Sequence, residues 1–134
     1  KKEKKVYLFK SYREDYKDGE QKRDFVYIKD VLDVIWFFVE NIGTVPSDIY
    51  NVGSGVANTW NRLVTAIFSS LSLPVNIEYI DMPAYLRHKY QYYTKADISK
   101  LRKVGYKKEF SLLEADVKDY VNGYLEKNAY LGWF

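Results

Sequence analysis

Arg23-Asp24-Phe25-Val26-Tyr27-Ile28-Lys29-Asp30-Val31 and, further along, Tyr50-Asn51-Val52-Gly53-Ser54-Gly55 are the stretches on which the fold turns. The first leads from a charged pair, Arg23 and Asp24, into the β-rich run Phe25–Ile28, read as a strand. Asp30 is placed to cap a helix from Val31 to about Asn41. That helix carries Val31, Leu32, Val34, Ile35, Trp36, Phe37, Phe38 and Val39, apolar nearly all round, which predicts burial between layers. The second stretch ends the strand expected over Asp48–Val52 with a Gly-Ser-Gly turn. An amphipathic helix follows, with Trp60, Leu63, Val64, Ile67, Phe68 and Leu71 on one stripe. Alternation of strands and helices places the chain in the α/β class.

Outward from this centre, Val6–Phe9 reads as a short strand and Ser11–Lys22 as a polar segment turning at Asp18-Gly19. Pro74 breaks the amphipathic helix. Val75–Ile80 reads as an edge strand, followed by an aromatic loop from Met82 to Thr94. Ala96–Lys103 is expected to be a short helix stopped at Gly105. The last helix is expected to start at Ser111 with Glu114 completing a capping box, and its stripe is Leu113, Val117, Tyr120, Val121 and Tyr124.

The 134 residues suffice for one domain with a modest core, and 47% apolar with 29% charged residues is a globular composition. A net charge of +3 is too small and too dispersed for a nucleic-acid footprint, so no nucleic-acid partner is expected. The opening Lys1-Lys2-Glu3-Lys4-Lys5 reads as a solvated linker. With no cysteine there is no disulfide framework and no thiolate metal site. The apolar run Val31–Val39 is too short to span a bilayer, and no membrane partner is expected. Met82 is the only methionine, which leads to the expectation that the chain is a piece of a longer polypeptide.

Each chemical constellation has a plainer reading beside it. The Gly53-Ser54-Gly55 turn sits where a dinucleotide loop would, but Asn58 stands in place of the third glycine, and a lone Gly-x-Gly is a weak signal. Tyr85 and Lys89 have catalytic-dyad spacing, yet they fall in a loop after Pro83, and the match reads as chance. His88, the only histidine, cannot by itself build a metal site. No metal site is expected. Arg23 stands at a strand entrance where its guanidinium fork suits phosphate oxygens. A pair with Asp24 or another surface acid is the equal alternative from residue chemistry alone. Tyr85, Tyr90, Tyr92 and Tyr93 are either a pocket wall or ordinary packing.

The Arg-Asp-Phe and Asn-Val-Gly phrases resemble the second half of an extended short-chain dehydrogenase/reductase. Leu8–Ser11, Asp18–Tyr27, Tyr50–Ala57, Ile77–Pro83 and above all Tyr90-Gln91-Tyr92-Tyr93-Thr94-Lys95-Ala96-Asp97 resemble the ADP-L-glycero-D-manno-heptose 6-epimerase family, from about Val6 to Leu125. The resemblance implies the C-terminal substrate-binding lobe of such an enzyme, with elements that join the Rossmann sheet and most of the Rossmann domain absent. It divides residues 1–134 into a leading strand and loop (1–22), elements packing on the missing domain (23–73) and a substrate lobe (74–134). It implies a cytoplasmic isomerase that inverts C6 of ADP-heptose for lipopolysaccharide core synthesis. NADP would be bound by the missing N-terminal domain, and the full-length enzyme would form a homo-oligomer. It implies substrate contacts at Phe9, Lys10, Ser11, Tyr12, Arg23 and Tyr90, with no catalytic or cofactor-binding residue in this chain, which alone should be inactive. Another nucleotide-sugar epimerase or dehydratase, or a non-catalytic nucleotide-sugar-binding module, are the alternative readings.

Overall fold

The computed structural model describes residues 4–129, so Lys1–Glu3 of the expected linker lie outside the described residues. Strand β1 (Val6–Phe9) and strand β2 (Lys22–Asp24) are followed by helix α1 (Ile28–Glu40). Strand β3 (Ala57–Thr59) leads directly into helix α2 (Trp60–Ser70). Strand β4 (Ile77–Ile80), the one-turn helix α3 (Ala84–Arg87), and helices α4 (Ser99–Lys103) and α5 (Leu113–Tyr120) complete the order, with a π-helical turn over Val121–Leu125.

Two small sheets result. β1 pairs parallel with β4, and β2 pairs antiparallel with β3. A parallel pair needs a long crossover, and here everything from Lys10 to Asn76, including α1 and α2, lies between the partners. Thr59 caps α2, its hydroxyl accepting from the Arg62 N–H at 3.1 Å. The stripe of α2 then buries Val64, Ala66 and Phe68, and the helix packs on α5 around Ala66, Leu113, Val117 and Val121. A second cluster joins Val34 of α1 to Leu101 of α4 and Tyr106.

Several expectations are corrected. The strand is Lys22–Asp24 rather than Phe25–Ile28, and Ile28 already opens α1. Backbone pairing is set by what lies opposite, and the ladder partner Ala57–Thr59 faces residues 22–24. Phe25 spends its ring on packing instead, edge-on to Trp60 at 5.1 Å. Asp30 does not cap α1. It sits inside the first turn and accepts from the Ser111 N–H at 3.0 Å and hydroxyl at 2.7 Å, tying α1 to the entrance of α5.

α1 is not buried all round: Val34 is 1% exposed, whereas Trp36 is 60% exposed. No strand forms over Asp48–Val52, because a strand requires a ladder partner and none stands beside it among the described residues. Tyr50 packs on Phe38 at 4.8 Å while Ile49 faces outward. The capping box at Ser111 and Glu114 does not form either. Helix α5 starts at Leu113, and Glu114 accepts from Arg62 at 2.6 Å. The expected helix over Ala96–Lys103 is shorter, beginning at Ser99.

Candidate functional site

A cavity of about 330 Å³ opens beside the β1–β4 pair, lined by Tyr7, Leu8, Phe9, Gln21, Trp60, Ile80 and Tyr90. The parallel pair β1–β4 supplies one wall through Phe9 and Ile80, and the first residue of α2 supplies Trp60. Gln21 is 1% exposed and its side-chain amide donates to the Phe9 carbonyl at 3.3 Å, which joins the wall to the start of β2. The indole N–H of Trp60 is buried with no hydrogen-bond partner among the described residues, a cost that packing must offset.

Aromatic rings form one rim. Phe9 meets Tyr90 edge-to-face at 6.2 Å, and Tyr90 meets Tyr92 at 5.4 Å. The segment bearing these tyrosines runs beside β2, because the Lys22 N–H donates to the Tyr92 carbonyl at 2.8 Å and the Thr94 N–H donates to the Lys22 carbonyl at 3.2 Å. Over the Tyr90 ring, 5.2 Å from its centroid, lies the guanidinium of Arg23. It donates to the Lys22 carbonyl at 2.8 Å and has no carboxylate within ion-pair distance among the described residues.

The alternative pair of Arg23 with Asp24 is therefore not formed. Asp24 is enclosed by the Gly53-Ser54-Gly55 turn. One oxygen accepts from the Ser54 N–H at 2.7 Å and hydroxyl at 2.6 Å, the other from the Gly55 N–H at 3.0 Å and the Ala96 N–H at 2.9 Å. This is a backbone nest of the kind that takes phosphates, filled here by the chain's own carboxylate. The turn does not fit a dinucleotide pyrophosphate.

The structure thus brings together Phe9, Tyr90 and Arg23. Lys10, Ser11 and Tyr12 are engaged nearby in other contacts. Lys10 pairs with Asp81 at 3.1 Å, and the Tyr12 hydroxyl donates to the same carboxylate at 3.2 Å. Lys10's hydrogen bond, then Tyr12's, hold the Asp81 carboxyl below its ordinary range, and Asp81 raises Lys10 in return. Both side chains are exposed, so water screens the pair and little stability comes from it. The Ser11 N–H donates to Asp18 at 2.6 Å and its hydroxyl to the Arg13 carbonyl at 3.0 Å. Arg87 stacks on Tyr12 at 3.9 Å and donates to the Met82 carbonyl.

Gln21, Trp60 and Tyr7 escaped the sequence reading as site residues. The helical period places Trp60 on a core stripe, and no local pattern marks a glutamine as a cavity wall. Tyr85 is 74% exposed and Lys89 lies beyond the one-turn helix, so this pair offers no sheltered proton-transfer site. Among the described residues no cluster of metal-ligating side chains occurs, and no helix is long and apolar enough to cross a membrane. What the arrangement can do is bind: a fixed cation on an aromatic face beside an apolar cavity suits an anionic group joined to a less polar body.

Residues 1–53 match the NAD dependent epimerase/dehydratase family. The chain is 48% identical over 118 residues to ADP-L-glycero-D-manno-heptose-6-epimerase of Nitratidesulfovibrio vulgaris, covering 88% of this chain and 36% of that protein. It is 48% identical over 128 residues to the enzyme of the same name from Fusobacterium nucleatum, covering 91% of this chain and 38% of the relative. Among solved structures it is similar to the Helicobacter pylori ADP-L-glycero-D-manno-heptose-6-epimerase, with 28% identity and a TM-score of 0.62 over 89% of this chain and 32% of that one. It also matches the UDP-Glc/GlcNAc 4-epimerase of Campylobacter jejuni in fold, with 21% identity and a TM-score of 0.74 over 94% of this chain and 36% of that one. The chain thus spans somewhat more than a third of the length of the curated relatives it matches. Its α/β fold matches about a third of the length of these solved epimerases.

Proposed function

We propose that this chain is the substrate-binding portion of an ADP-L-glycero-D-manno-heptose 6-epimerase. The whole enzyme interconverts the D-glycero and L-glycero forms of the ADP-heptose by oxidation and re-reduction at C6. The observation that carries this reading is Arg23, a guanidinium with no acidic partner among the described residues, laid on Tyr90 at the rim of the cavity. Its fork matches the diphosphate of an activated sugar, and the Tyr90 ring desolvates one face of the cation. Phe9 and Tyr90 offer apolar walls to the sugar or base, with Ser11 on the adjoining segment. Lys10 and Tyr12, though paired with Asp81, stand within the same segment and complete the proposed contact set.

NADP supplies the redox chemistry in this proposal and is assigned to the remaining length of the parent protein, since the glycine turn in this chain holds Asp24 instead. Residues 1–22 then form the leading strand and loop, 23–73 the elements that pack on the cofactor domain, and 74–134 the substrate lobe. The catalytic groups belong to the same remaining length, so the chain alone is inactive. A cytoplasmic homo-oligomer serving lipopolysaccharide core synthesis completes the reading.

The test is calorimetry of ADP and ADP-heptose against the full-length protein and its Arg23→Ala variant. Loss of a charge-assisted diphosphate contact is expected to cost about 2–4 kcal/mol. Unchanged affinity would remove the site. UDP- and GDP-sugars in the same cell separate the heptose reading from that of another nucleotide-sugar epimerase.

A further inference from the structure

We propose that Asp24 is a positioning residue for the anion site: its carboxylate locks the tyrosine-bearing segment against β2 and, by being satisfied elsewhere, leaves the neighbouring Arg23 uncompensated. The inference rests on the reading of Arg23 given above.

Two residues in succession on a strand point to opposite faces. Arg23 and Asp24 follow each other in β2, so the guanidinium reaches the aromatic face while the carboxylate reaches the glycine turn. The four donors that close on Asp24 come from two separate segments, Ser54 and Gly55 on one side and Ala96 on the other. Ala96 ends the stretch that carries Tyr90 and Tyr92. One carboxylate therefore fastens both the turn and the segment whose ring supports Arg23. All four donors are uncharged, so none competes with the cation and none draws it across the sheet. The fit has no slack: a Cβ on Gly53 would stand 2.5 Å from the Ala96 Cβ and 2.7 Å from an Asp24 oxygen.

An asparagine at this position turns one acceptor into a donor facing N–H groups, which opens the clasp and frees Ala96. If Asp24 acts through Arg23, its loss matters only while Arg23 is present. The experiment is a double-mutant cycle in the full-length protein, with ADP as the probe, read by calorimetry. Asp24→Asn is expected to weaken ADP binding about tenfold in the wild-type background and less than about twofold in the Arg23→Ala background. Ser54→Ala, which removes a single donor and spares all three backbone N–H groups, guards against misfolding. It is expected to weaken ADP about threefold, again only when Arg23 is present. Equal losses in both backgrounds would overturn the inference, because Asp24 would then serve the fold alone. If Arg23→Ala by itself leaves ADP affinity intact, the underlying site assignment falls and this inference falls with it.

Discussion

At the scale of single residues, the decisive fact is which partner each charge finds. Asp24 and Arg23 are adjacent in sequence and opposite in sign, yet they do not meet, because the pleat of β2 sends them to different faces. Gly53 shows the same constraint in reverse. Gly53→Ala would drive a methyl into Ala96 and Asp24, and overpacking at such a junction should cost about 1–3 kcal/mol in urea unfolding. Arg23→Lys tests the fork itself. An ammonium keeps the charge but loses bidentate geometry, so ADP affinity is expected to fall between those of the wild type and Arg23→Ala in the same calorimetric series. The Arg23 phrase was legible in the sequence, but whether it paired with Asp24 was not, since that depended on a turn thirty positions downstream.

At the scale of elements, α1 and α5 are joined through one hydroxyl. Ser111 offers a single proton, yet its oxygen contacts both Asp30, at 2.7 Å, and Asp116. A hydroxyl donates once, so the two carboxyls share a single proton donor. Burial raises the Asp116 carboxyl above its ordinary range, against the lowering effect of the Ser111 hydrogen bond, and Asp30 and Asp119 add to the rise. A raised native value means that the folded chain retains a proton the unfolded chain has released. Stability therefore decreases as pH climbs from the unfolded carboxylate value, about 3.9, through the native one.

Asp116→Asn carries its own donor to Ser111. Urea unfolding between pH 4 and 7 should show this part of the pH slope gone, with stability at pH 7 up to about 1 kcal/mol higher. A steeper slope in the variant would contradict the proton assignment. The capping box expected at Ser111 failed for the same reason: both groups it needed are claimed by other elements, Ser111 by α1 and Glu114 by α2.

At the scale of the whole molecule, α1 carries two apolar faces. Val34, Phe37 and Phe38 meet the inner cluster, while Ile28, Leu32, Ile35, Trp36 and Val39 form one outward stripe and are all exposed. A stripe of this size on a monomer marks a contact surface, which in the proposed enzyme meets the cofactor domain. Taken alone, the 134-residue chain is expected to self-associate in light scattering at micromolar concentration. Ile35→Asp should shift it toward monomer without a change in far-ultraviolet dichroism. Val34→Asp, aimed at the inner cluster, should unfold it instead. A monomeric wild-type chain would speak against the stripe as a buried surface in the parent.

The sequence by itself determined the α/β class, the amphipathic helix α2 and its break, the β1 and β4 strands and the glycine turn. Each of these is written in residues close enough in the chain to impose a period, a cap or a backbone angle. Only the tertiary structure decided that residues 22–24 pair with 57–59, that Asp48–Val52 finds no ladder, that Asp24 fills the turn, and that Gln21 and Trp60 wall a cavity. These depend on groups brought together across tens of residues. A hydrogen bond or an ion pair goes to whichever partner the fold places within reach, and local sequence holds no record of that distance.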